Sequence, residues 1–200
     1  MVSIQKIGKK VFTTHELTAV SGKSASTVVQ SLSRLERQGI LSKIYRGIWS
    51  EAGSRKLSIF EIIPYLFPRQ RVYVSFITAL HLHGLIEQIP QVVSLASTSH
   101  TRTIKTKIGA FSVHQITPAF FEGFDWYKKE GSFLIAEPEK ALVDSLYLSG
   151  RKKKQFGHFP EMHIPAGFSY KKALQWGNHI RENKLRTYVL ERLRIILKAK

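Results

Sequence analysis

Residues 13–49 read TTHELTAVSGKSASTVVQSLSRLERQGILSKIYRGIW, and this run divides into three patterns with different periods. The first pattern predicts a short helix, because Thr14 is a suitable N-cap for residues 15–20. The pair Ser21-Gly22 then interrupts the helical pattern as a turn does. A short helix followed by a tight turn is therefore expected at the start of the run.

A longer helix is predicted after the turn. Ser24 is its expected N-cap, the helix runs from Ala25 to Gln38, and Gly39 stands where glycine is favoured after a helix end. Apolar residues recur at helical spacing and form one stripe: Ala25, Val28, Leu32 and Leu35. The opposite face is polar and basic, with Lys23 just before it: Ser26, Gln30, Ser33, Arg34 and Arg37.

The period changes again after Gly39. Residues 40–49 are rich in β-branched and aromatic side chains, with a glycine near the middle, which predicts a small hairpin. A helix, a tight turn, a longer helix with a basic face and a basic hairpin follow one another in a winged helix-turn-helix. In that fold the second helix lies in the major groove of DNA. We expect this domain over residues 1–52.

Polar and basic side chains of this region are candidate DNA contacts: Lys23, Ser24, Ser26, Thr27, Gln30, Arg34, Arg37, Lys43 and Arg46. Short hydroxyl side chains at the helix start allow close approach, Gln30 is suited to adenine and Arg34 to guanine. Lys43 and Arg46 belong to the predicted wing, where they would contact phosphates. Two alternatives stay open: a solvated basic face without a ligand, and a winged helix that binds protein.

The charge of the chain indicates a polyanionic partner. Lys and Arg outnumber Asp and Glu by 31 to 14, a formal net charge of +17. Residues 1–57 carry 10 basic and 3 acidic side chains, residues 58–148 carry 8 of each, and residues 149–200 carry 13 and 3. Charge that serves only solubility would be spread more evenly. Nucleic acid is the commonest partner of such basic regions.

Composition limits the class of protein. A hydrophobic fraction of 43% is typical of a folded globular chain. No apolar run approaches the roughly 20 residues that span a bilayer, and the N-terminus lacks a secretory signal pattern. The chain has no cysteine, which excludes disulfides and thiolate metal sites. These features favour a cytoplasmic protein.

A second domain is predicted over residues 53–200, after a linker at Glu51–Lys56. Helices are expected at 58–67, 76–83, 137–150, 169–183 and 184–198, a strand at 92–96 and a hairpin at 102–115. This mixture predicts an α+β fold. The winged domain would be followed by a mixed α/β domain with a small antiparallel sheet and terminal helices.

Three blocks of the second region carry a family resemblance. They are Tyr73-Val74-Ser75 with Ala79-Leu80-His81-Leu82-His83-Gly84-Leu85-Ile86, then Ile108-Gly109-Ala110-Phe111-Ser112, and then Ala136-Glu137-Pro138-Glu139-Lys140-Ala141-Leu142-Val143-Asp144. With the winged region, the chain resembles the AbiEi family of antitoxins and transcriptional regulators over most of residues 5–150. The doubled histidine at His81 and His83 departs from the single histidine that usually precedes this glycine.

The resemblance implies a repressor that binds inverted repeats in its own promoter. It further implies an antitoxin that opposes a nucleotidyltransferase-like toxin encoded beside it, as in phage abortive infection. The C-terminal region is the part that the family ties to antitoxic activity. Whether the antitoxin contacts the toxin directly is left open by the resemblance.

The basic tail at residues 149–200 is a possible second binding patch. Its densest cluster is Arg151, Lys152, Lys153 and Lys154. In the last predicted helix, Leu185, Val189, Leu193, Ile196 and Leu197 form an apolar face, and Arg186, Arg192, Arg194 and Lys198 lie outside it. DNA phosphates, RNA, an acidic protein and plain solvent are all compatible with this charge.

Catalytic motifs are not found. The histidines show no metal-ligand spacing, and Walker A, nucleophile-elbow and dinucleotide-binding patterns are missing. Glu137, Lys140 and Asp144 are explained by helix capping and an i, i+4 ion pair. We therefore expect no enzyme activity, no cofactor and no metal.

Two rival functions follow from the charge. A nucleic-acid-processing enzyme would need carboxylates or histidines converging on the basic surface, and the sequence shows no such set. An RNA-binding protein without operator specificity is favoured by charge alone, whereas the winged-helix order and the neutral middle region argue against it. Salt-resistant preference for one duplex separates these alternatives.

Overall fold

A computed structural model describes Ile4 and residues 7–53, 57–127, 133–151 and 161–198. The chain forms two compact units, one of Met1–Arg69 with Lys105–Gly109, the other of Gln70–Ile104 with Ala110–Lys200. Helices and strands occur in both, which confirms the α+β class. Within the described residues, no helix is both long enough and apolar enough to cross a membrane.

The first unit contains the predicted helix-turn-helix and hairpin, with one strand that the sequence did not reveal. Its elements are β1 Val11–Thr13, α1 Thr14–Ser21, α2 Ala25–Arg37, β2 Leu41–Tyr45, β3 Ile48–Glu51 and, after a 3₁₀ turn at Ile59–Ile62, α3 Ile63–Leu66. The strands form an antiparallel sheet in the order β1-β3-β2. Trp49 on the central strand stands opposite Phe12 on one side and Lys43 on the other.

The N-cap of α1 is Thr13, so the expectation of Thr14 was wrong by one residue. Thr13 Oγ1 accepts the backbone N–H of Glu16 over 3.0 Å, and Glu16 Oε2 accepts the backbone N–H of Thr13 over 2.7 Å. This reciprocal pair is a capping box. Thr14 instead ties the helix to the hairpin: its N–H donates to the Gly47 carbonyl over 2.9 Å, and its Oγ1 accepts Trp49 Nε1–H over 3.0 Å.

The second helix follows its prediction closely. Ser24 Oγ accepts the Thr27 N–H over 3.3 Å, and Gly39 adopts a left-handed φ of 71° just after the helix. Val28 and Leu32 are buried, but Ala25 is exposed, so the buried stripe begins one turn later than expected. The core around them consists of Ile4, Phe12, Leu17, Val28, Leu32, Leu41 and Trp49, with Leu35 packed against it.

The predicted helix over Ser58–Phe67 is broken into a 3₁₀ turn and the single turn of α3. Pro64 has no N–H, so the α-helical bond to the Phe60 carbonyl cannot form. The Ile63 N–H bonds that carbonyl instead, which is the tighter 3₁₀ pattern. Of the predicted linker, Ser54–Lys56 lie outside the described residues.

The second unit contains a six-stranded sheet in the order β6-β7-β5-β4-β9-β8. The strands are β4 Val72–Val74, β5 Val92–Ser97, β6 Arg102–Thr106, β7 Gly109–Gln115, β8 Phe124–Trp126 and β9 Leu134–Ala136. β4 pairs antiparallel with β5 and β8 with β9, whereas β4 with β9 and β5 with β7 are parallel. The sheet is therefore larger than expected and mixed, because strands distant in sequence, such as β4 and β9, pair directly.

Four helices of 7 to 16 residues accompany this sheet in the described chain. They are α4 Phe76–Leu82, α5 Pro138–Gly150, α6 Tyr170–Asn178 and α7 Asn183–Lys198. Every residue of α5 from Glu139 to Leu148 is buried, so this helix forms the centre of the unit. On α7, Leu185, Val189 and Leu193 are buried as predicted.

Candidate nucleic-acid interface

All the predicted DNA-contact residues lie in the first unit, and all are exposed: Lys23, Ser24, Ser26, Thr27, Gln30, Arg34, Arg37, Lys43 and Arg46. The first two precede α2, the next five lie on α2, Lys43 lies on β2, and Arg46 lies in the β2–β3 turn. We call this set the basic face. Because Thr27, Gln30, Arg34 and Arg37 are spaced by three or four residues, they follow one another along one side of the helix.

The first turn of α2 presents a cluster of hydroxyl groups. Ser24 Oγ lies 3.0 Å from Ser26 Oγ and 2.8 Å from Thr27 Oγ1, while it also accepts the Thr27 N–H. Ser24 is therefore committed to capping the helix. Ser26 and Thr27 are held beside the helix N-terminus, where short donors suit close contact with a phosphate or a base edge.

The long polar side chains of the basic face that lie on α2 have no hydrogen-bond or ion-pair partner in the part of the chain that the structure describes. Among the described residues, Gln30, Arg34 and Arg37 have no side-chain hydrogen bond and no ion pair. A basic helix face that only serves solubility usually carries i, i+4 carboxylates, and α2 has a single carboxylate, Glu36. The two arginines thus leave their positive charge available to a ligand.

Glu36 is neutralised by a lysine far away in the sequence. Its Oε1 lies 3.3 Å from Lys107 Nζ and also accepts the Lys43 backbone N–H over 3.3 Å. The Lys107 N–H in turn donates to the Ile44 carbonyl over 3.1 Å. Sequence reasoning missed Lys107, because it belongs to a hairpin assigned to the other domain and no local pattern relates it to α2.

The wing places Lys43 and Arg46 at exposed positions. The Lys43 ammonium lies 5.5 Å from the ring centroid of Trp49, a cation–π contact that steadies the side chain against the sheet. The turn after Tyr45 contains Gly47 at a left-handed φ of 70°, which lets the hairpin close beside Arg46. Two cations of the wing therefore project from an ordered backbone.

The proposed second patch is only partly described. Arg151 follows the last turn of α5, and its guanidinium lies 4.6 Å from the ring centroid of Tyr147. Glu182 Oε2 lies 4.0 Å from a nitrogen of the same guanidinium. Lys152, Lys153 and Lys154 lie outside the described residues. The patch stays a prediction.

A buried polar cluster joins two of the sequence blocks singled out above. Asp144 Oδ2 accepts hydrogen bonds from Tyr73 OH over 3.0 Å and Ser75 Oγ over 2.7 Å, and Lys140 Nζ pairs with Asp144 Oδ1. The i, i+4 ion pair was predicted from helical spacing, and in the structure both charged side chains are fully buried. The partners on β4 could not be inferred from helical spacing.

The cluster perturbs the ionisation of its members. Burial lowers the pKa of Lys140, although the Asp144 carboxylate acts in the opposite direction. Burial, reinforced by Asp144, raises the pKa of Tyr73 well above its ordinary value. Since these groups are sealed from solvent, their arrangement joins β4 to α5 and offers no opening to a substrate.

The remaining candidates for chemistry are dispersed. The part of the chain that the structure describes contains no group of three or more His, Asp or Glu side chains arranged for a metal ion. His83 bonds the Ala136 carbonyl over 2.7 Å, and Glu137 pairs with Lys172 over 2.9 Å rather than capping α5 through its side chain. These histidine and carboxylate groups make structural contacts.

The first unit has the architecture of a winged helix-turn-helix. In DNA-binding members of this class of domain, the second helix lies in the major groove. Residues 3–52 match the model of the family described as "Transcriptional regulator, AbiEi antitoxin". Through this N-terminal region the chain is similar to that family of transcriptional regulators. The match ends before the blocks at 73–86 and 108–144, and no curated protein matches the chain.

Proposed function

We propose that this chain is a cytoplasmic transcriptional repressor that binds inverted repeats in its own promoter. We propose further that it is the antitoxin to a nucleotidyltransferase-like toxin encoded beside it. The observation that supports the DNA-binding role is the basic face, a set of exposed side chains on a winged helix whose arginines have no ion pair among the described residues. The family match over residues 3–52 supports the antitoxin role.

Charge and geometry assign different tasks to different members of the basic face. Lys23 precedes α2, Lys43 lies on β2 and Arg46 lies in the β2–β3 turn. These three cations outside α2 are suited to phosphates, which fix position without reading sequence. Gln30 and Arg34 stand further along α2 and carry planar groups that match adenine and guanine in bidentate fashion. The proposal therefore includes both affinity from phosphates and specificity from two residues of one helix.

The test of DNA binding is a gel shift of the full chain against its own upstream region and against a scrambled duplex of equal length, at physiological salt. Retardation of the upstream duplex at concentrations that leave the scrambled duplex free is expected. Equal retardation of both duplexes, lost as salt rises, would contradict the repressor and favour a general RNA or DNA binder.

The two regions are proposed to divide the work, with residues 1–52 binding DNA and residues 53–200 providing antitoxic activity. The full chain with Gln30→Ala and Arg34→Ala is expected to lose repression and still protect cells that express the neighbouring toxin from another promoter. Loss of protection would contradict this division, provided that the variant accumulates to the level of the unmodified chain. Co-purification with tagged toxin tests direct contact separately.

A further inference from the structure

A cavity of about 500 Å³ lies wholly within the second unit, and none of its lining residues belongs to the basic face. Its apolar wall comes from three separate parts of the chain and includes Phe120, Tyr147, Ile180 and Leu185. Each of these side chains is at least nine-tenths buried. A cavity of this size with an apolar wall matches the sites that hold small organic ligands.

The aromatic part of the wall carries a hydroxyl group without a hydrogen-bond partner among the described residues. The rings of Phe120 and Tyr147 stack with centroids 5.1 Å apart and planes inclined by 25°. The Tyr147 hydroxyl is buried, and within the described residues it has no hydrogen-bond partner. Because buried hydroxyl groups are normally paired, this one is suited to a polar atom supplied by a ligand.

The other lining residues bring an excess of cationic groups. Arg151 and Arg181 both line the cavity, and Glu182 is the only carboxylate among the described lining residues. Glu182 lies 4.0 Å from Arg151, at the limit of an ion pair, while Arg181 has no ion pair in the described chain. His179 also lines the cavity and is paired with Glu122 over 3.1 Å. The site therefore favours an anionic group beside an apolar, planar one.

We propose that this cavity binds a nucleoside monophosphate. The base packs on the Phe120–Tyr147 wall with a polar edge toward the Tyr147 hydroxyl, and the phosphate binds Arg151 and Arg181. The phosphate of such a ligand accepts charge-assisted hydrogen bonds from guanidinium groups, and its base needs an apolar surface. A nucleoside monophosphate therefore meets both requirements of the site. The inference is independent of the proposed repressor role, since none of the lining residues belongs to the basic face.

The experiment is a calorimetric titration of the full chain with AMP, GMP, CMP and UMP at constant ionic strength, and with the matching nucleosides and inorganic phosphate alone. Saturable binding of at least one monophosphate is expected, about tenfold tighter than either of its halves. The absence of saturable binding by all four up to about millimolar concentration, where ΔG° is only about −4 kcal/mol, overturns the proposal. Phosphate alone binding as tightly as the nucleotide also overturns it.

Variants separate the cavity from the general charge of the chain. Arg181→Gln is expected to weaken binding about tenfold, and Arg194→Gln, an exposed arginine of α7 that does not line the cavity, to leave it unchanged. Tyr147→Phe is expected to weaken binding about fivefold and to preserve the thermal midpoint, because the hydroxyl has no hydrogen-bond partner among the described residues. Equal losses in Arg181→Gln and Arg194→Gln would show attraction by net charge and refute the site.

Discussion

The phenol of Tyr73 donates a hydrogen bond to Asp144 Oδ2 over 3.0 Å, and neither side chain is exposed to solvent. The same carboxylate accepts a hydrogen bond from Ser75 and pairs with Lys140. A buried carboxylate is costly unless donors surround it, and this one has three. The strand β4 and the helix α5 are thus joined by a polar cluster inside an apolar core.

Replacement of Asp144 by Ala is expected to destabilise the chain by about 3–5 kcal/mol, because it leaves Lys140 buried without its counter-ion. The double variant Lys140→Met with Asp144→Leu is expected to recover much of that loss. Urea titration measures the free energy of unfolding. The control is Lys172→Met, which removes the partly exposed pair with Glu137 and is expected to cost less than about 1 kcal/mol. A cost for Asp144→Ala no larger than the control would contradict the prediction.

Protonation of Glu16 at low pH is expected to lower the stability of the first unit. Burial raises the pKa of this carboxyl, but hydrogen bonds from Lys9 and Thr13 outweigh burial and leave the pKa below its ordinary value. A lowered pKa means that the folded state favours the carboxylate. The stabilisation is therefore present above about pH 4.5 and is lost as pH falls through the folded-state pKa.

The check is a series of thermal unfolding curves between pH 6 and pH 3 for the unmodified chain and for Glu16→Gln, with pH values chosen to bracket about pH 4.5. The variant is expected to start less stable and to lose less stability on acidification. Glu191→Gln, an exposed carboxyl of α7, serves as the control. If the thermal midpoints of the unmodified chain and of Glu16→Gln fall equally with pH, the capping box contributes nothing to the pH dependence.

Arg34 is expected to contribute to sequence recognition. Arg34→Ala should weaken binding to the upstream duplex by about 1–3 kcal/mol and binding to a scrambled duplex by much less, because the proposed bidentate contact is made only to a base. Fluorescence anisotropy with both duplexes measures the two losses. Arg69→Ala, an exposed arginine outside α2 and the wing, is the matched control. Equal losses on the two duplexes would reassign Arg34 to phosphate contact.

Lys43 and Arg46 are expected to contribute affinity without specificity. Each substitution by Ala should weaken binding to both duplexes similarly and reduce the slope of log K against log salt by about 1. Titrations at several salt concentrations measure that slope. An unchanged slope in both variants would show that the wing does not contact DNA phosphates.

Much of the first unit follows from sequence, and the reason is local. The Ser24 cap, the left-handed Gly39 and the buried pair Val28 and Leu32 are all set by neighbours within one or two turns of helix. The error at the first cap arose because Thr13 and Thr14 are adjacent and both suit a cap. The pairing of β1 with the hairpin decides which of the two is the cap. Thr13 is the last residue of β1 and stands opposite Ile48, and the Thr14 N–H donates to the Gly47 carbonyl.

The exposure of the predicted DNA contacts could also be anticipated, because polar residues opposite an apolar stripe point to solvent. The lack of ion pairs at these residues could not be anticipated, because it depends on where carboxylates distant in sequence lie in the folded chain. Glu36 is adjacent to Arg37 in sequence, yet its ion pair is with Lys107. Only the folded chain shows that the arginines of α2 have no ion pair with any residue that the structure describes.

The sequence by itself determined the winged helix-turn-helix, its basic face and the α+β class, because helical period, capping and turn residues act over a few positions. The tertiary structure decided the mixed six-stranded sheet, the burial of the Lys140–Asp144 pair and the cavity beside Tyr147. Glu36 with Lys107, and Tyr73 with Asp144, are each separated by 71 positions. Contacts of that separation arise from packing of the whole chain, which no local pattern records.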